Sequence, residues 1–149
     1  MKKSYKQSNP LTADNNLNGV LLLRNPEKSE NPIKWYSSKI AGVPFILRNL
    51  LTLQKVDIKT LVIFMEDPHG DFQKSFEKIL QDPRLSQDII CMGNITQLKE
   101  WIQNNPNPVY IFNGSALHDK KKLYQLTRSE TQNGEESFFP INPENLQDL

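Results

Sequence analysis

Short continuous apolar runs alternate along this chain with stretches whose apolar residues recur every three or four positions. Val20–Leu23 is bounded by Gly19 and by Arg24-Asn25-Pro26, the pattern of a strand buried on both faces. Thr60–Met65, Asp88–Met92 and Val109–Phe112 read the same way, and Phe138–Ile141 offers a fifth strand. Between them, Ile46, Leu47, Leu50, Leu51 and Leu53 repeat at helical spacing from Pro44 to about Val56, with the proline suited to a first turn. Phe72, Phe76, Ile79 and Leu80 place an apolar stripe on a second helix, which Asp82-Pro83 ends. Asn94 caps a third helix carrying Ile95, Leu98 and Ile102, and Asp119 caps a fourth, from about Lys120, with Leu123 and Leu126 inward. Asn142-Pro143-Glu144 opens one more. Leu146 and Leu149 have no further turns to pair with, so the natural chain is expected to continue past Leu149.

Strand–helix alternation repeated about four times predicts an α/β domain with a mostly parallel sheet covered on both faces. Right-handed crossovers then bring the loops after Leu23, Met65, Met92 and Phe112 to one edge, where a ligand site would be assembled. Residues 1–18 are polar and aperiodic and read as a mobile arm, leaving residues 19–149 as the domain. Pro26–Ser38 reads as a long polar loop with two prolines. Within it, Trp35 and Tyr36 either staple the loop to the core or stack on a base.

Composition narrows the function classes. At 149 residues the chain can bury one ordinary core, and 18 basic against 17 acidic residues leave a net charge of +1. That near-neutrality excludes bulk electrostatic recruitment to nucleic acid or an anionic membrane. No apolar run approaches the roughly 20 residues that span a bilayer, and the run after the basic N-terminus is too short for a signal peptide, so the expected location is cytoplasmic. Cys91 stands alone, and with only His69 and His118 beside it a structural metal site is not expected. Asn94-Ile95-Thr96 and Asn113-Gly114-Ser115 match the glycosylation pattern as incidents of an Asn-rich chain.

Several groups carry two readings. Glu66, Asp67 and His69 follow the second strand and could act as acid, base or metal ligand, yet Asp67-Pro68 and Gly70 explain the same segment as turn chemistry. His118 with Asp119 invites an acid–base pairing, but adjacent residues rarely face one another and Asp119 has a capping role to fill. Lys120-Lys121-Lys122 reads as a solvated face, and Cys91 as a small buried hydrophobe.

The segment Lys39-Ile40-Ala41-Gly42-Val43-Pro44-Phe45-Ile46-Leu47-Arg48, its leucine-rich continuation and the strand Thr60–Met65 resemble the start of the GT-A-like sugar-phosphate nucleotidyltransferases. Val109–Phe112 followed by Asn113-Gly114-Ser115 resembles the family's apolar strand ending in N-G-D. Phe139–Leu146 resembles the connection from such a domain to a membrane CDP-alcohol phosphatidyltransferase domain in some bacterial proteins. The resemblance implies a three-layer α/β/α, Rossmann-like fold and a nucleotide ligand, CTP or another NTP. It assigns nucleotide contacts to Arg24, Asn25, Lys34, Lys39, Asn113, Gly114 and Ser115, with Mg²⁺ required if the domain is an active enzyme.

Two departures shape the expected function. No glycine stands between Arg24 and Gly42, where the family has a glycine-rich phosphate loop, and Pro26 removes an N–H there. Ser115 stands where the family has a metal-binding carboxylate, and a neutral hydroxyl is a poor Mg²⁺ ligand. The expectation is a non-catalytic binding or regulatory module, without a cofactor, belonging to a larger protein of phospholipid head-group synthesis and working with a fused or partner membrane transferase domain. The alternatives are an active cytidylyltransferase acting on a phosphorylated alcohol, and a flavodoxin- or receiver-like domain that recruits a protein.

Overall fold

The computed structural model describes residues 17–25, 30–67, 72–128 and 138–141. The expected arm through residue 16, His69 and the helix expected from Asn142 lie outside them. β1 (Leu17–Leu22), β4 (Ile58–Phe64), β5 (Asp88–Met92) and β6 (Val109–Asn113) form the parallel part of a five-stranded sheet of order β5-β4-β1-β6-β7. β7 (Phe138–Ile141) closes one edge antiparallel to β6. β1 opens two residues before Gly19 because the Leu17 N–H donates to the Asp57 carbonyl and the Asn18 side chain pairs with Asn105.

The continuous apolar runs follow from coverage of both sheet faces. Leu21, Leu61, Ile63 and Phe112 point to one face, where they pack against α2 (Phe45–Lys55), the short helices α3 (Phe72–Ser75) and α4 (Glu77–Leu80), and Leu123 of α6 (Lys120–Arg128). Val20, Leu22, Val62, Phe64 and Ile111 point to the other, beneath Leu98 and Ile102 of α5 (Ile95–Gln103). Each such side chain, fully buried, contributes about 1.5–3 kcal/mol. The chain runs β1, β4, β5 toward one side, then returns over the second face through α5 to β6 on the other side of β1. Strand order therefore reverses between β1 and β6, and the topological switch point of the sheet lies between their C-terminal ends.

Three local features depart from the sequence pattern. The polar loop contains α1 (Pro32–Ser37), started by the Asn31 side chain, which accepts from the Lys34 N–H, and by proline in the first turn. Lys39–Ile40 (β2) and Val43–Pro44 (β3) make a small antiparallel hairpin, turned at Ala41 (φ 51°) and Gly42 (φ 81°) and held by Arg48, whose guanidinium donates to the Ile40 carbonyl. The expected single helix over Phe72–Leu80 breaks at Phe76, which is fully buried while its backbone leaves helical geometry (φ −99°, ψ 6°).

Candidate functional site

A cleft of about 740 Å³ opens at the C-terminal ends of β1 and β4, a size suited to a small organic ligand. Its apolar lining comes from both strands and from the starts of α1 and α5: Leu22, Leu23, Pro32, Phe64, Met65 and Ile95. Its polar lining among the described residues is Arg24, Asn25 and Glu66.

The rim is built by hydrogen bonds that prolong the sheet. Leu23 N–H donates to the Phe64 carbonyl (2.8 Å), and Met65 and Asp67 N–H groups donate to the Met92 and Gly93 carbonyls (3.2 and 3.0 Å). A Cβ at Gly93 would stand 2.9 Å from the Asp67 carbonyl oxygen, so only glycine lets these two loops close up. Glu66 is thereby left exposed at the cleft, while the Asp67 carboxylate accepts from the Phe72 N–H (2.8 Å) and starts α3. Tyr36, fully buried, donates its hydroxyl to the Arg24 carbonyl. Its ring packs edge-on to Trp35 (5.0 Å between centroids), which in turn meets Phe45 (4.7 Å). These aromatics staple α1 to the core and fix the backbone that carries Arg24. Burial pushes the Tyr36 phenol up to about 12.

The turn after β6 is closed on itself. Asn113 Oδ1 accepts from both the N–H (3.0 Å) and the hydroxyl (2.8 Å) of Ser115. Gly114 N–H donates to the Leu22 carbonyl (2.7 Å), and a Cβ there would fall 2.5 Å from that oxygen. Asn49, the buried polar side chain of α2, donates to the Ala116 carbonyl (2.8 Å) and accepts from the His118 N–H (3.2 Å). The His118 ring donates from Nε2 to the Asn113 carbonyl (2.8 Å), and burial holds its pKa below the usual histidine range. His118 thus faces the strand end, and Asp119 caps α6 by accepting from the Lys121 N–H (3.2 Å).

The residues singled out from sequence consequently divide. Arg24 and Asn25 line the cleft; Asn113, Gly114 and Ser115 sit beside it at the end of β6, with Leu22 paired to Asn113. Lys34 is exposed on α1 and Lys39 is exposed on the hairpin; neither is among the lining residues. Glu66, singled out together with Asp67 and His69, lines the cleft, whereas Asn49 as the anchor of the β6 turn escaped sequence reasoning. Asn49 had a signal: it lies four residues after Phe45 and four before Leu53, a polar residue on the apolar stripe of α2.

The solved structures that this fold resembles include the inositol-1-phosphate CTP transferase from T. maritima, with a TM-score of 0.51 and 13% identity over 78% of this chain and 51% of that one. They also include HddC from Yersinia pseudotuberculosis, with a TM-score of 0.50 and 16% identity over 73% of this chain and 53% of that one. The chain has a nucleotidyltransferase-like fold. It spans about half the length of these two structures. No protein-family model and no curated protein matches it. Among the described residues no helix is long and apolar enough to cross a membrane.

Among the described residues, the donors beside the cleft do not fit the Mg²⁺ that nucleotidyl transfer requires. The Ser115 hydroxyl and the Asn113 amide oxygen are bonded to each other, and Glu66 is the sole carboxylate lining the cleft among the described residues. No cluster of three or more potential ligands occurs among those residues.

Proposed function

We propose that this nucleotidyltransferase-like domain binds a nucleotide in the β1–β4 cleft and does not transfer it. The observation that carries the reading is the contrast between an open cleft bordered by Arg24 and Asn25 and a β6 turn that carries no carboxylate and whose Asn113 amide oxygen is occupied by the Ser115 N–H and hydroxyl. Binding needs only the cleft. Transfer needs, in addition, a carboxylate-held metal to offset charge on the departing pyrophosphate, and Ser115 supplies no carboxylate. The fold likeness to a CTP transferase makes a cytidine nucleotide the first ligand to try.

In this reading the domain is a regulatory module on the cytoplasmic side of a phospholipid head-group transferase, as the resemblance of Phe139–Leu146 implies. Calorimetric titration with cytidine, uridine, adenosine and guanosine nucleotides, run beside a pyrophosphate-release assay with CTP, Mg²⁺ and phosphorylated alcohols, tests it. The expected outcome is saturable binding that Arg24→Ala weakens by about tenfold, as for loss of a charge-assisted hydrogen bond, with no pyrophosphate released. Turnover would establish the active cytidylyltransferase instead, and absence of all nucleotide binding would favour a protein-recruiting domain.

A further inference from the structure

We infer that the cleft accepts the nucleoside end of its ligand and one phosphate, and so binds a nucleoside monophosphate about as well as the triphosphate. The inference rests on the nucleotide-binding reading above and specifies its ligand. The floor made by Leu22, Phe64 and Ile95 offers an apolar surface to a base. Among the described residues the charged lining is one cation, Arg24, against one anion, Glu66. Arg24 can neutralise one phosphate. Each further phosphate adds negative charge to a cleft that already holds the Glu66 carboxylate.

Several of the backbone donors around the cleft are already used. At the start of α5 the Thr96 and Gln97 N–H groups both donate to Asn94 Oδ1 (2.7 and 3.2 Å). At the start of α1, Pro32 has no N–H, and the Lys34 N–H donates to Asn31 Oδ1 (3.0 Å). The N–H groups of Leu23, Met65 and Gly114 all serve the sheet edge. A phosphate cradle is made of free N–H groups, and those of Leu23, Lys34, Met65, Thr96, Gln97 and Gly114 are committed to bonds within the protein. Glu66 suits a different partner: a carboxylate accepts hydrogen bonds from ribose hydroxyls or an exocyclic amine.

The test is calorimetry on the full chain with the pairs CMP and CTP, and AMP and ATP, first in chelator and then with Mg²⁺. The monophosphate of the better-bound base is expected to bind no more than about threefold more weakly than its triphosphate in both conditions, since surface charge terms of this kind are small unless a cradle is present. Glu66→Gln, which keeps shape and removes charge, is expected to improve CTP binding by about threefold or more relative to CMP. A triphosphate preference beyond that margin, with or without Mg²⁺, overturns the inference while leaving the nucleotide-binding reading intact. A ratio unchanged in Glu66→Gln overturns the role given to Glu66. Absence of binding by all four nucleotides overturns both.

Discussion

Removing the Tyr36 hydroxyl while keeping its ring separates tethering from packing. Tyr36→Phe retains the contacts with Trp35 and Phe45 and loses the bond to the Arg24 carbonyl. The expected cost is about 1 kcal/mol in urea denaturation, together with weaker nucleotide binding, because the segment bearing Arg24 is no longer held. The same hydroxyl gives a pH signature. Its folded pKa, about 12, exceeds the ordinary value of 10.0, so between these pH values the unfolded chain releases a proton that the folded chain keeps, and stability falls as pH rises. Tyr36→Phe should lack that alkaline loss. His118 has the opposite sign. Its folded pKa is lowered by burial, so stability is lost as pH falls below the unfolded histidine value of about 6.5, where only the unfolded chain takes up a proton. Replacing Asn49 by Leu strands the Ala116 carbonyl and the His118 N–H, at an expected cost of about 2–3 kcal/mol read from the same denaturation experiment.

Among elements, strands were the most legible, because an apolar run bounded by turn residues has few other uses in a chain with covered sheet faces. Short elements were less so. α1 has too few residues to show a period, although Asn31-Pro32 is a readable cap followed by a first-turn proline. The break at Phe76 leaves no trace in the stripe, since Phe72, Phe76, Ile79 and Leu80 all pack on the core whichever way the backbone turns. The hairpin hides for a different reason: Ala41 adopts φ 51°, a conformation that its residue type does not announce. Ala41→Gly should raise stability by about 0.5–1 kcal/mol, measured by thermal or urea unfolding, because glycine meets no Cβ penalty in the left-handed region. Gly114→Ala should do the reverse. Its Cβ would lie 2.5 Å from the Leu22 carbonyl oxygen and 2.6 Å from Leu23 Cδ2, so β6 must shift from β1 at a cost of about 1–3 kcal/mol or more.

For the whole molecule, alternation of strands and helices was enough to fix a mostly parallel sheet with its loops gathered at one edge. What the alternation does not encode is which of those loops leave room for a ligand. The answer lies in long-range hydrogen bonds: Gly114 closed on Leu22, Asn49 holding the β6 turn, and the β4 and β5 loops joined through Asp67 and Gly93. A cleft stays open over β1 and β4, with Glu66 on its lining. Amide chemical-shift mapping of the isotope-labelled chain during titration with CMP tests that placement most directly. Saturable shifts at Arg24, Asn25, Glu66 and Ile95, with the Asn113–Ser115 turn unmoved, are the predicted result; shifts centred on that turn, or none at all, would contradict it.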